Sequence, residues 1–369
     1  MLSVFNRLQG LLCGLCFLCA VALPAAAAPI KVSFLNPGAS HELFWLSVSQ
    51  FMQAAADDLD LSLTVHYAER DHARMIAQAR EVLAQADPPD YLVIVNEAFA
   101  GPELLRLSQE RGVKVFMLLN SLTDTQRQQL GTARERFPNW IGALVPDNVV
   151  AGRLMATRLI EQARARGWPA PIELLALGGD NRTPAALERE QGLHEALAQA
   201  ADVRLKQLVY ARWDRGMAKR KTLLLLKRHP DARLIWAAND QMAFGALDAI
   251  DQWPSTERGQ FLVSALNNSD EAFTARIDDD FAVLLGGHFT AGGWAMVMLY
   301  DYAHGHDFAE RGGVEQRHAL FSEISPDMAR QLKGQLKPQG FAAVDFKVLT
   351  ATQNPALKAY DFSLKHLLP

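Results

Sequence analysis

Cysteine is almost missing from this chain of 369 residues. Cys13, Cys16 and Cys19 are the whole supply, so nothing downstream can form a disulfide, a reactive thiol or a zinc–cysteine site. Blocks of one charge are missing as well. The 37 basic and 41 acidic residues are interspersed, for a net charge of −4, and mark no surface for nucleic acid or an anionic membrane. The longest apolar run, Leu11–Leu23, is short for crossing a bilayer. No Gly-rich Lys-Ser/Thr loop, Gly-x-Ser-x-Gly elbow, His-Glu-x-x-His pair or helix-opening Gly-x-Gly-x-x-Gly occurs, which lowers the expectation of an enzyme. His304-Gly305-His306-Asp307 lacks a third ligand at helical spacing, and Asp278-Asp279-Asp280 lacks the alternating oxygens of a calcium loop. Both read as solvated charge, and no metal or cofactor is expected.

What is present begins with an export signal. Arg7, the apolar run and Ala25–Ala28 read as a secretory signal peptide over residues 1–28, cut after Ala26 or Ala27 because Pro29 disfavours the next bond. A lipid anchor is not expected, since Leu12, Leu15 and Leu18 precede the cysteines where a small residue is needed. Beyond the signal, 49% hydrophobic and 21% charged residues describe a soluble globular protein long enough for two domains.

Apolar runs then alternate with amphipathic stretches. Strands are expected at Lys31–Leu35, Ser62–Tyr67, Tyr91–Val95, Val113–Leu119 and Trp140–Val145, with helices between them. Asp71 and Asp147 stand where helix caps belong, and Gly112 and Gly167 where helices stop. The series restarts after Asp147, with strands at Ile172–Leu177, Val203–Val209, Leu234–Ala238, Phe261–Leu266 and Val283–Leu285, a helix at Ala291–His304 and a last strand at Ala343–Leu349. A βα unit repeated in two runs predicts an α/β protein with two similar doubly wound parallel sheets.

Polar and aromatic residues crowd the C-terminal ends of these strands: Asn36-Pro37-Gly38 with Phe44-Trp45, Tyr210 to Asp214, and above all Asn239-Asp240. Those ends are where a parallel sheet presents side chains to a ligand. Ala238-Asn239-Asp240-Gln241-Met242-Ala243-Phe244-Gly245, Pro146-Asp147-Asn148 and Thr183-Pro184-Ala185-Ala186-Leu187-Glu188-Arg189 resemble the type I periplasmic binding proteins, in the ribose and galactose branch of sugar ABC transporters. The resemblance covers about residues 30–305 and implies two lobes joined by three crossings. It divides the chain into 29–146 plus 289–315, 147–288 plus 316–335, and a C-terminal extension 336–369. It implies a ligand set of Asn36, Phe44, Trp45, Asn120, Arg189, Trp213, Asn239, Asn267 and His288.

Independently, asparagine both donates and accepts, as a sugar hydroxyl does, an aromatic face covers the C–H side of a sugar ring, and arginine donates at fixed geometry. Each residue also admits a structural role. Trp213 can be a packing staple, Arg189 a solvated helix charge, Asn267 a turn former and His288 a satisfied core histidine. Phe44 and Trp45, adjacent on an extended loop, cannot both point inward, so one should face the cleft. Asp240 is the expected helix cap, leaving Asn239 for ligand.

Leu119-Asn120 stands where the family usually places an acidic–basic pair, Asn267 where it places an aspartate, and His288 where it places glutamine or asparagine. The expected function is an exported, monomeric, non-enzymatic protein of the periplasm that captures a small polar, sugar-like ligand for a membrane ABC permease, with no nucleic-acid partner. The alternatives are a receptor module handing its closed form to a sensor kinase or cyclase, with a docking surface in the extended C-terminal region, and an exported hydrolase using Glu97 and His288.

Overall fold

Two apolar-run series become two sheets in the computed structural model, which describes residues 28–253 and 258–367. The expected signal peptide, apart from Ala28, and its three cysteines fall outside these residues.

The first lobe runs β1 (Lys31–Asn36), α1 (Leu43–Asp58), β2 (Ser62–Tyr67), α2 (His72–Leu83), β3 (Tyr91–Ile94), α3 (Gly101–Arg111), β4 (Lys114–Leu118), α4 (Asp124–Leu130) and β5 (Trp140–Pro146). The second runs α5 (Asn148–Ala165), β6 (Ile172–Gly178), α6 (Pro184–Ala198), β7 (Val203–Tyr210), α7 (Arg215–Arg228), β8 (Leu234–Ala237), α8 (Asp240–Ile250), β9 (Leu262–Leu266), α9 (Asp270–Ile277) and β10 (Val283–Gly286). The chain returns to the first lobe through α10 (Ala291–Ala303) and β11 (Glu315–His318), then crosses to β12 (Ser322–Glu323), α11 (Pro326–Leu332) and α12 (Pro338–Phe341).

Sheet order is β2-β1-β3-β4-β5-β11 in the first lobe and β7-β6-β8-β9-β10-β12 in the second. Every pairing is parallel except β10 with β12. Strand order reverses between β1 and β3, and again between β6 and β8, which opens a crevice at the C-terminal strand ends of each lobe. The third crossing lies between His318 and Ser322, because Glu315–His318 pairs with β5; the break expected at 315/316 moves accordingly.

Local chemistry sets the element ends. Asp71 Oδ1 accepts from Arg74 N at 3.1 Å and Asp147 Oδ1 from Val150 N at 3.0 Å, while Gly112 closes α3 in the left-handed region. Met75, Ile76, Ala79, Val82 and Leu83 form the buried stripe of α2. The strand expected at Ala343–Leu349 is not one. Lys347–Leu349 is a single 3-10 turn with Val348 exposed, and the segment's buried residues, Val344 and Phe346, are held by packing instead of pairing: the Phe346 ring lies 5.2 Å from that of Phe51 on α1.

Candidate functional site

The two crevices face each other across a cavity lined by residues of both lobes. Its lining comes from the strand ends and the loops after them. Of the nine expected residues, Phe44, Trp45, Asn120, Arg189, Trp213, Asn239, Asn267 and His288 all line it.

Asn36 does not. It is fully buried, its Nδ2 donates to Trp45 O at 3.2 Å and Ser49 Oγ at 2.9 Å, and its Oδ1 accepts from Gly38 N at 2.9 Å. As the last residue of β1 it ties the following loop to α1, and its amide is fully occupied by that task. Phe44 and Trp45 are also corrected: they sit in the first turn of α1, not on an extended loop, so both reach the cavity. Their rings meet edge-on at 5.1 Å.

Asn239, not Asp240, caps α8; its Oδ1 accepts from Met242 N at 2.9 Å. Its Nδ2 has no hydrogen-bond partner among the described residues and remains available to a ligand. Asp240 is buried beneath, accepting from Asn267 Nδ2 at 2.8 Å and Ser269 Oγ at 2.9 Å, and burial raises its pKa.

Arg189 is a buried cation, not a solvated helix charge, only 5% exposed. Its Nε donates to Asn148 Oδ1 at 2.9 Å and its Nη1 to Ala238 O at 2.8 Å. The guanidinium lies 5.7 Å from the ring centres of Trp213 and Phe321, and burial lowers its pKa to about 10, so it stays charged at neutral pH. Trp213 is held by its Nε1, which donates to Asp180 Oδ2 at 2.9 Å. Burial opposes the Asp180 charge, yet bonds from Arg182 N, Trp213 and Thr183 keep its pKa below the usual range.

His288 is stacked between Phe44 at 4.5 Å and Phe321 at 4.7 Å. Burial, reinforced by Arg189, pushes its pKa well below the ordinary value, so the ring is neutral. Its Nδ1 and the Trp45 Nε1 are buried without a hydrogen-bond partner among the described residues. Orphaned polar atoms in a cavity wall are what a bound polar molecule or water satisfies. Leu119, Trp213 and Asn267 carry positive φ values of 63°, 62° and 146°. Such strain in non-glycine residues gathers at ligand sites.

Several lining residues were missed as ligand-site candidates: Glu42, Arg70, Glu97, Pro146, Asn148, Thr183 and Ala185. Arg70 Nε and Nη2 both bond Glu42, and its Nη1 donates to Glu97 Oε1 at 2.9 Å. Glu97 follows β3, beside the first switch point, so the strand-end rule that found Asn239 could have found it. The two lobes touch through this wall: Asn120 Oδ1 accepts from Ala185 N at 3.0 Å, Thr183 Oγ1 reaches Glu97 Oε1 at 3.2 Å, and Arg317 bonds Glu188 at 3.0 and 3.2 Å.

Two doubly wound lobes, three crossings and one cavity of aromatic, amide and arginine groups are the architecture of a type I periplasmic binding protein. The chain belongs to the periplasmic binding protein domain family, whose pattern matches residues 32–307. It is 44% identical to a periplasmic sugar-binding protein from Pseudomonas fluorescens whose crystal structure superposes with a TM-score of 0.83, covering 92% of this chain and 99% of that one. It is also similar to the galactofuranose-binding protein YtfQ of Escherichia coli, at 21% identity over 266 residues, 71% of this chain and 78% of the relative. The ribose import binding protein RbsB of Escherichia coli is 24% identical over 209 residues, 56% of this chain and 63% of that protein.

Proposed function

We propose that this protein is an exported solute-binding protein that encloses one small, sugar-like ligand between its lobes and delivers it to an ABC importer without chemically altering it. The carrying observation is the cavity wall itself. Phe44, Trp45 and Trp213 offer faces to C–H groups, while Asn239 Nδ2, Arg189 and the orphaned nitrogens of Trp45 and His288 offer polar contacts to hydroxyls. The likeness to a sugar-binding protein over nearly the whole chain supports this, and the export signal read in residues 1–28 supports delivery to the periplasm.

Contacts to both lobes exist together only when the lobes meet, so a ligand that spans the cavity favours closure over opening by its extra contacts. A receptor role rests on the altered pocket together with the extended C-terminal region, and that region turns Phe341, Phe346 and Phe362 inward against its own chain, which favours delivery over docking. A hydrolase would need Glu97 and His288 to work as a pair; they are not bonded to each other, Arg70 holds Glu97, and His288 is stacked between phenylalanines.

Calorimetric titration with D-ribose, D-allose, L-arabinose and D-galactose tests the reading and should find one saturable site. Asn239→Ser keeps a capping oxygen but removes the amide donor, and Arg189→Lys keeps the charge but removes the fork. Each should weaken the bound sugar by about tenfold or more, the worth of one good hydrogen bond to a charged or fixed group. Saturable binding that neither substitution alters would dismantle the site.

A further inference from the structure

Beside the sugar cavity stands a polar assembly that the folding of neither lobe explains. Glu42 sits at the N-terminal end of α1, Arg70 in the loop after β2, Glu97 after β3, and Thr183 on the opposite lobe, at the cap of α6. All four line the cavity.

Arg70 is clamped. Three of its N–H groups are committed, two to Glu42 and one to Glu97 Oε1, which fixes the guanidinium plane and leaves the other donors of the fork uncommitted. Glu97 is nearly enclosed, its side chain 12% exposed; burial raises its pKa, and Arg70 lying against it opposes that rise. Its Oε1 already takes Arg70 and meets Thr183 Oγ1, whereas its Oε2 has no hydrogen-bond partner among the described residues. A carboxylate oxygen that opens on the cavity without a protein donor, next to an arginine with donors to spare, offers a ligand hydroxyl an acceptor and a donor together.

We propose that Glu97 contacts the ligand and selects for two neighbouring hydroxyls, with Arg70 and Thr183 positioning it. This rests on the sugar-binding reading and names the chemistry that reading leaves open. One hydroxyl donates to Glu97 Oε2. The oxygen beside it accepts from an Arg70 N–H, since a carboxylate and guanidinium held side by side present an acceptor and a donor at the spacing of a vicinal diol. Thr183 belongs to the other lobe, and its hydroxyl lies between Asp180 Oδ2 at 2.9 Å and Glu97 Oε1 at 3.2 Å, so the meeting of the lobes adds a second contact to the carboxylate that Arg70 holds. A hydroxyl pair on the ligand and closure of the cleft are thereby read by the same group.

The selectivity follows from asymmetry. A ligand lacking one hydroxyl of the pair covers Glu97 Oε2 without bonding it and so displaces water from a carboxylate, a heavier loss than the missing contact alone.

The test is a cycle of protein and ligand changes on the full chain, by calorimetry at neutral pH. The tightest binder among the four sugars is titrated with its deoxy analogues, one position at a time. Glu97→Gln should weaken the parent sugar by about tenfold or more, and one deoxy analogue should bind wild type and variant within twofold of each other. Thr183→Val should weaken binding about threefold, and Thr183→Ser should restore it. Glu97→Asp, which keeps the ion pair with Arg70 but withdraws the carboxylate by one methylene, guards against misfolding of the glutamine variant and should lose the same selectivity. Parent affinity unchanged within twofold in both variants, or a loss equal for every deoxy analogue, overturns the assignment. If Arg189→Lys weakens the sugar while both Glu97 variants do not, Glu97 alone is wrong; if wild type binds none of the four sugars, the sugar reading falls with it.

Discussion

At the scale of single residues, His288 carries the clearest pH signature. The unfolded chain takes up a proton on this ring as pH falls through about 6.5, while the folded ring, buried between Phe44 and Phe321 and facing Arg189, refuses it. More protons on the unfolded state means stability falls as pH drops below that value, by about 1 kcal/mol at pH 5.5 for this one group. His66 and His318, lowered by burial, act in the same direction, whereas the raised carboxyls of Glu97 and Asp240 act oppositely as pH rises above their unfolded values near 4. Urea unfolding at pH 7.5 and 5.5 should therefore show a smaller pH effect in His288→Phe than in wild type. An equal effect in both would mean the ring is not held neutral.

Among elements, the crossing of α5 and α6 decides where Arg189 stands. Gly152 and Gly192 let the two helices approach until backbone nearly meets backbone. A Cβ on Gly152 would lie 2.0 Å from Arg189 O, and one on Gly192 would lie 2.0 Å from Val149 O. Gly192→Ala must push α6 outward, at about 1–3 kcal/mol of stability, and carry Arg189 off Asn148 and Ala238. Sugar affinity should fall with it, while Gly216→Ala in α7, whose nearest neighbours are side-chain atoms at 3.4 Å or beyond, should leave affinity unchanged.

The same scale shows what was legible in advance. Ten strands were readable because each is an apolar run or, in β2 and β7, an apolar–polar alternation, with a helical stretch behind it. β11, with the sequence Glu-Gln-Arg-His, and α4, Asp-Thr-Gln-Arg-Gln-Gln-Leu, were not, since edge and surface elements carry no apolar pattern. Strand-end polarity and the family resemblance together found half of the cavity wall. They misplaced Asn36, because burial at a strand end is invisible in sequence, passed over Arg70, and offered Glu97 only as a hydrolase acid, since its tie to the ligand wall depends on one arginine reaching two acids distant in sequence.

For the whole molecule, the C-terminal segment is a strap, not an appendage. Phe341 and Phe346 lie 5.2 Å from Phe51, and Phe362 stacks on Trp294 at 5.4 Å and lies 5.1 Å from His318, where the third crossing starts. Asp301, fully buried on α10, accepts from Ala351 N, Thr352 N, Thr352 Oγ1 and Tyr360 Oη at 2.7–2.9 Å. Asp301→Ala would strand several of those donors and should cost about 3 kcal/mol, with limited proteolysis cutting first between residues 333 and 367. Cleavage spread evenly over both lobes would contradict a separately released strap.

The bonds that join the lobes across the cleft, Asn120 to Ala185, Thr183 to Glu97 and Arg317 to Glu188, consist of protein atoms alone. Closure therefore has a share of its stabilisation before any solute arrives, and an empty closed fraction stands in equilibrium with the open form. That fraction sets a trade-off. It tightens capture, because less of each binding event is used to shift the lobes, and it raises the background of unloaded molecules that any partner recognising the closed shape must tolerate.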